Sequence, residues 1–455
     1  MERFDLGIIG GGPAGYLAAE RAAEGGLKVV VFEKRALGGV CLNEGCIPSK
    51  AFLNSAKIFH YAAHGEKYGV TTKGAEIDHA VVVKRKNKVV KILVSGVKQK
   101  LKKYEVTVVD AQAKITGGKA GSFTVEAGGE TYETDKLLVA CGSVPVVPPI
   151  PGVEEGLEAG TVLTNREILD LTQAPASLVV IGAGVIGLEM ACYFNDIGTE
   201  VTVVEMLGKC AGPTDEEISG ILQKNLEKRG IRFHLNSKVT AVEGGKVTFE
   251  TSEGTQSVQA DKVLLSIGRR VDTEGLGLDA LGVATERGAV VTDERLRTNV
   301  HGVWAAGDSN GKSMLAHTAY RESEVAVNDM LGREDRMRYD AIPSVIYTNP
   351  EVAGVGHTMA TAKAAGLDVE EVTVSMRYSG RYLAEVEGGD GICKLVVDRQ
   401  KNRLVGVHMI GSYTSEIIYG AGMMIETGME IEDSKKIVFP HPTVCEVIRE
   451  ALFEV

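Results

Sequence analysis

Residues 4–33 read FDLGIIGGGPAGYLAAERAAEGGLKVVVFE, and residues 178–205 return the same order as LVVIGAGVIGLEMACYFNDIGTEVTVVE. Each stretch is a short apolar run, a turn of the form G-x-G-x-x-G, a helical segment and a second apolar run closed by a carboxylate. The glycines are Gly10, Gly12 and Gly15 in the first copy and Gly182, Gly184 and Gly187 in the second; the closing acids are Glu33 and Glu205. In both copies the acid falls 23 positions after the first glycine. One such turn is weak evidence. Strand, turn, helix, strand and acid in register, twice, is the pattern of a dinucleotide site. The glycines let backbone approach a pyrophosphate, whose charge meets unsatisfied N–H groups at a helix start, and the acid accepts from ribose hydroxyls.

The expected architecture is therefore α/β, with two Rossmann-like dinucleotide-binding domains. Two sites on one chain suggest two different dinucleotides, and hydride transfer between a nicotinamide and a flavin is the commonest reason to need both, so FAD and NAD are the expected cofactors. Residues 298–308 (TNVHGVWAAGD) form an apolar run ending at Asp308 beyond the second repeat, resembling the segment that contacts the flavin ribityl chain in two-dinucleotide flavoproteins. The first domain is then interrupted by the second. Four of the twelve prolines crowd into residues 144–151 (VPVVPPIP), a crossover linker just before the second repeat. No glycine fingerprint follows residue 342, and apolar alternation at 394–397 and 404–409 indicates antiparallel strands. The expected domains are 1–147 with 270–338 for FAD, 148–269 for NAD, inserted in the FAD domain, and a C-terminal α+β domain over 339–455.

Composition narrows the partners. The 455 residues are 44% hydrophobic, 24% charged and 5% aromatic, as in a large folded chain. A net charge of −11 without a concentrated positive face argues against nucleic acid. The basic run at 84–103 (KRKNKVVKILVSGVKQKLKK) carries Val89, Val90, Leu93, Val97 and Leu101 at helical spacing and reads as a solvated helix face. No apolar stretch has the length of a membrane span, and residues 1–5 run into a strand without a charged and apolar leader, so no membrane is expected and the cytoplasm is the default address. Seven cysteines, an odd number, do not suggest a structural disulfide framework.

A cysteine pair must then be explained by chemistry. Residues 38–50 read GGVCLNEGCIPSK, with Cys41 and Cys46 five apart directly after the first nucleotide unit. Zinc would need further cysteines or histidines at short spacing, and none follows, so no metal is expected. In an ideal helix the pair would sit roughly 140° apart and about 7.5 Å along the axis, beyond disulfide reach. The segment must be distorted. Gly45 permits distortion and Pro48 is tolerated near a helix start, which places the pair at an irregular helix entry. The positive helix end there favours thiolate, and a non-ideal disulfide is easily reduced.

The run G-G-x-C-x-x-x-x-G-C-x-P-x-K after a flavin fingerprint resembles the signature of the pyridine nucleotide disulfide oxidoreductases, and the likeness extends over nearly the whole chain. The Ile47-Pro48-Ser49-Lys50 form is similar to their lipoamide branch. The resemblance implies that Cys46 is the flavin-proximal, charge-transfer thiol and Cys41 the interchange thiol. It pairs Lys50 with Glu189 beside the flavin, and directs Lys50, Gly142, Asp308 and the turn Met314, Leu315, Ala316 and His317 to FAD, with Gly268 toward NAD. Residues 441–446 (HPTVCE) match the family's His-Pro-Thr-x-x-Glu, which makes His441 the base and Glu446 its orienting carboxylate. Pro442 suits the first helical turn, so the imidazole is expected just ahead of a helix carrying Glu446. The C-terminal domain is then a dimerisation domain, the protein a homodimer, and each His441 serves the disulfide of the opposite subunit.

The implied reaction is oxidation of protein-bound dihydrolipoamide through the Cys41/Cys46 disulfide and FAD to NAD, the lipoyl group arriving on another polypeptide of a 2-oxo-acid, acetoin or glycine-cleavage complex. The alternatives are another disulfide or metal-ion reductase of the family, running in the opposite direction, and a subunit serving chiefly in assembly. No C-terminal cysteine pair favours metal-ion reduction, and Glu205 opposes NADP. Several positions depart from the family's common form: Val40, Glu44, Cys141, Asn349, Pro440 and Val271-Asp272. Glu44 has chemical content, since an unscreened carboxylate near Cys41 would raise its thiol pKa.

Overall fold

The computed structural model describes residues 2–455 and separates into two compact units. The first gathers residues 1–52, 80–146 and 268–338; the second gathers 53–79, 147–267 and 339–455. Both chain crossings near the second repeat lie beside a two-stranded pairing of Ser143–Pro145 with Arg269–Val271, within the first unit.

The first unit is built on a seven-stranded sheet. Glu2–Ile9 pairs in parallel with Val29–Phe32 on one side and Glu130–Val139 on the other; Thr107–Val109 and Val303–Ala305 extend the parallel part. Ser122–Ala127 and Ala113–Lys119 add an antiparallel wing. The central strands are continuous apolar runs because both faces are covered: Leu6, Ile8, Val30, Val31, Leu137, Leu138 and Val139 are all fully buried. Helix Pro13–Glu24 starts with its proline in the first turn, where a missing N–H costs nothing, and lays Ala14, Ala18, Ala19 and Ala22 inward. Its small side chains let it pack closely along helix Ala316–Met330, whose Ser323 hydroxyl donates to the Ala14 carbonyl.

The second unit repeats the plan with a five-stranded parallel sheet, in the order Arg232–His234, Glu200–Val204, Ser177–Ile181, Lys262–Leu265, Val162–Leu163. An antiparallel meander, Lys238–Glu243, Lys246–Thr251 and Gly254–Gln259, closes over one face through Val247 and Phe249. The same unit holds a five-stranded antiparallel sheet ordered Ser344–Ile346, Glu351–Gly356, Arg403–Gly411, Ile392–Asp398, Val369–Ser375. Helices Thr414–Thr427 and Glu446–Phe453 cover it with Ile418, Ala421, Val447 and Ala451. Lys394, on strand Ile392–Asp398 of that sheet, is buried and meets Asp215, Glu217 and Glu371 at 2.9–3.2 Å; Asp215 also caps helix Glu216–Lys228.

The 84–103 run lies in one helix, His79–Lys103. Its inward face is carried by Val82, Val83, Lys86 and Leu101, on the same side as the valine and leucine spacing, but Leu93 on that side is exposed because nothing covers it there. Among the described residues no helix is long and apolar enough to cross a membrane.

Candidate active site

Cys41 and Cys46 stand on two different helices. Gly39–Glu44 is a short helix, Gly45 breaks it at φ −145° and ψ −111°, and Cys46 opens the helix Cys46–Ala63. The break removes the angular separation that a continuous helix would impose, and the two sulfur groups come within hydrogen-bonding reach. Both are thiols here. Of the two, Cys41 holds its proton tightly. Its hydrogen bond to Cys46 and burial hold the Cys41 thiol well above the usual range, with Lys50 acting in the opposite sense. Two adjacent sulfurs cannot both ionise cheaply, so the reduced pair keeps a proton between them.

The short helix is docked on the first glycine turn. Gly39 has φ +58°, and a Cβ there would stand 2.6 Å from the Gly12 Cα, so only glycine allows the dithiol segment to rest on that turn.

The two glycine turns share one geometry. A Cβ on Gly10 would meet the Ala140 carbonyl at 2.1 Å and one on Gly15 the Gly10 carbonyl at 1.8 Å; the matching clashes at Gly182 and Gly187 are 2.6 and 2.2 Å. Packing therefore accounts for the first and third glycines. The middle ones differ: a Cβ on Gly12 or Gly184 finds no atom nearer than 3.7 and 4.0 Å, and both have ordinary extended backbone. Nothing in the protein needs glycine there. A pyrophosphate approaching the helix start does, and this open side fits a dinucleotide in each unit. The closing acids also match: Glu33 takes the Gly11 N–H at 2.7 Å and the N–H groups of Arg35 and Ala36, while Glu205 takes those of Ala183 and Leu207, both at 2.7 Å.

In the first unit Asp308 accepts from the Ser143 hydroxyl, and Arg269 donates to the same hydroxyl at 2.8 Å and to the Ser143 carbonyl at 2.6 Å. Burial lowers the Arg269 pKa, opposed by Asp308, Glu44 and Cys46. Gly142 has φ +75° and open space at its Cβ position, and Gly268 closes the crossing through a bond from the Val146 N–H. Met314 is exposed, Leu315 caps helix Ala316–Met330, and Ala316 and His317 form its first turn. Lys50 lies on the Cys46–Ala63 helix, near enough for its charge to reach Cys41.

In the second unit Glu189 is buried on helix Val185–Asp196 and accepts from the Tyr347 N–H at 3.1 Å. His441 Nδ1 lies 2.9 Å from one oxygen of Glu446, whose other oxygen takes the Thr443 N–H. These bonds hold the Glu446 carboxyl below its usual range. The helix begins only at Glu446, so Pro442 stands in a turn ahead of it and not in its first turn. Glu446 reaches backward because a carboxylate is favoured where N–H groups are unsatisfied. The imidazole is 77% exposed.

The departures are accommodated. Glu44 is screened by Arg35 at 3.2 Å. Burial, with Asp272 and Asp308, pushes the Cys141 thiol up to about 12, leaving it an unreactive filler. Asp272 pairs with Lys34 at 2.6 Å, and the Asn349 carbonyl accepts from Arg229. Three groups near the dithiol escaped the sequence reading. Arg269 follows Gly268 directly, and that adjacency was its signal. Tyr16 and Tyr320 join hydroxyls at 2.6 Å, and the charges of Cys41 and Cys46 act on both. Tyr16 was legible as the residue after Gly15; Tyr320 had no signal.

Residues 4–323 match the family profile described as pyridine nucleotide-disulphide oxidoreductase, and residues 342–452 match that family's dimerisation domain. A mitochondrial dihydrolipoyl dehydrogenase of Pisum sativum is 38% identical over 98% of this chain and 90% of its own length. A dihydrolipoyl dehydrogenase of Rhizobium etli is 37% identical over 100% of this chain and 98% of its own. The crystal structure of LpdA from Mycobacterium tuberculosis superposes with a TM-score of 0.90 at 25% identity, covering 100% of this chain and 99% of that one. With both halves of the profile matched and relatives aligned end to end, the chain belongs to the pyridine nucleotide-disulphide oxidoreductase family.

Proposed function

We propose that the chain oxidises protein-bound dihydrolipoamide to lipoamide with reduction of NAD, as the dehydrogenase component of a 2-oxo-acid, acetoin or glycine-cleavage complex. The observation that carries this reading is the Cys41/Cys46 dithiol held against the Gly12 turn, one of two cradles whose middle glycine only a ligand requires. Gly10, Gly12, Gly15, Glu33, Lys50, Gly142, Asp308 and the 314–317 turn would hold FAD, and Gly182, Gly184, Gly187, Glu205 and Gly268 would hold NAD; bound there, the two would supply a two-electron path away from Cys46.

The protein's own groups handle sulfur and protons. A substrate thiolate attacks Cys41 Sγ and the Cys41–Cys46 bond breaks. The second substrate sulfur then attacks the first, breaking the bond to Cys41 and leaving lipoamide and the reduced pair. His441 accepts the substrate's proton, because a thiol with a pKa near 8.5 is mostly protonated at neutral pH. Glu446 fixes the imidazole so that Nε2 is the free nitrogen. Lys50 and Glu189 would supply the charges that tune a bound flavin. The matched dimerisation domain and the exposure of His441 support a homodimer in which the base comes from the opposite subunit. The domains are 1–147 with 270–338, 148–269 and 339–455, and the protein works in the cytoplasm.

The test is formation of NADH from dihydrolipoamide by purified protein, together with visible spectra under two-electron reduction. Turnover with a long-wavelength absorbance band, both lost in Cys46→Ser, is the expected result. A Cys46→Ser protein that keeps band and turnover overturns the assignment of the proximal thiol; absence of turnover in the unaltered protein overturns the reaction.

A further inference from the structure

Helix His79–Lys103 contains no aspartate or glutamate. Lys84, Lys88, Lys91, Lys98 and Lys102 are spaced four, three, seven and four apart, with Ser95 filling the middle step, so all lie within one narrow arc of the helix. At 1.5 Å per residue the row is about 27 Å long. All five are exposed, and no ion pair or hydrogen bond among the described residues reaches any of them. Lys100, off the row, pairs with Glu20 at 3.2 Å. Like charges at this spacing repel, and among the described residues no acid forms an ion pair with them. The chain as a whole carries −11, so the row is a local reversal of its field.

We propose that this lysine row is a docking track for an acidic protein surface, that of the polypeptide bearing the lipoyl group. The proposal rests on the dehydrogenase reading above and adds to it the face by which the substrate-bearing protein is drawn in. A reaction whose substrate is tethered to another protein gains from electrostatic steering, and a straight row of one sign sets the direction of approach. Nucleic acid fits less well because the row has no aromatic side chains for stacking. A membrane surface fits less well because Val82, Val83 and Leu101 are buried in the protein, and the exposed Val81, Ile92 and Leu93 are too few for an inserting face.

The experiment compares the holoenzyme with a variant carrying Lys84→Glu, Lys88→Glu, Lys91→Glu, Lys98→Glu and Lys102→Glu, and with the same five changed to glutamine should the glutamates prevent folding. The substrates are free dihydrolipoamide and a recombinant reduced lipoylated domain chosen for its excess of aspartate and glutamate. We expect kcat/KM for the domain to fall at least about tenfold at low salt in the variants, the difference vanishing near 1 M salt, where screening acts within about 3 Å. Turnover of free dihydrolipoamide stays unchanged. Equal kcat/KM for the domain in all forms at low salt overturns the proposal. So does row-dependent binding of homopolymeric RNA or phosphatidylserine vesicles that exceeds binding of the domain. Should the unaltered protein fail with free dihydrolipoamide, the dehydrogenase reading falls, and calorimetric titration of the domain into each form still decides the docking track by itself.

Discussion

Glu446 holds His441 and its own turn at once: one carboxylate oxygen lies 2.9 Å from the imidazole Nδ1 and the other accepts the Thr443 N–H at 2.9 Å. A glutamine there can satisfy only one of the two, because its NH2 group would face a donor. Glu446→Gln should therefore slow dihydrolipoamide oxidation, by roughly tenfold, and His441→Ala by about 10²- to 10⁴-fold, with the loss in the dithiol half-reaction. Stopped-flow reduction of the oxidised enzyme measures both; equal rates in all three proteins would remove His441 from the mechanism.

The exposure of His441 leads to a mixing experiment. Cys41→Ser and His441→Ala chains are each inactive alone, but a dimer made of one of each retains one complete site if the base crosses the two-fold axis. Subunit exchange should recover activity. Proven heterodimers with no recovery would place each site within one chain.

Glu205 is fixed at the ribose end of the second cradle by two backbone N–H groups at 2.7 Å, and it cannot swing away from a 2′-phosphate. Like charges brought together there should favour NAD over NADP by about a hundredfold or more in kcat/KM, equivalent to about 2.7 kcal/mol. Steady-state kinetics with both nucleotides checks this, and parity would refute it.

His60 stands 4.8 Å from the His64 ring; burial first, then the positive charges of Arg229, His64 and Lys67, lower its pKa to about 4. The unfolded chain protonates this residue near pH 6.5. Between those values the unfolded state holds a proton that the folded state lacks, so stability falls as pH drops from about 6.5 to 4. After discount for solvent screening the effect is on the order of 1 kcal/mol, or about 1 °C in Tm for a chain of this length. His60→Gln should lose less Tm than the unaltered protein between pH 7 and 4.5. Parallel loss in both would show that His60 does not titrate on unfolding.

Much of this was written in the chain. The two glycine turns with Glu33 and Glu205, the cysteine pair and the His441–Glu446 spacing are local patterns whose physics acts within a few residues, and the structure places each on the kind of element expected. Other parts were not legible. The helix face around Leu93 depends on what packs against it, and the charge state of the dithiol depends on two sulfurs meeting across the Gly45 break. Tyr320, Arg269 and Tyr347 act through partners more than a hundred residues away, a distance over which sequence alone specifies no neighbour.

The bonds from Gly11 to Glu33 and from Ala183 to Glu205 join the two ends of each cradle into a single part. In the reading proposed above, the acid that would choose the sugar is anchored by the same turn that would receive the phosphates, so neither could be redesigned alone. Neutralising Glu205 to admit a 2′-phosphate would also leave the Ala183 and Leu207 amides without their acceptor and loosen the turn beneath the pyrophosphate. A change of coenzyme in this chain is thus a change of backbone support, and it would have to bring a new acceptor for those two amides along with a cation for the phosphate.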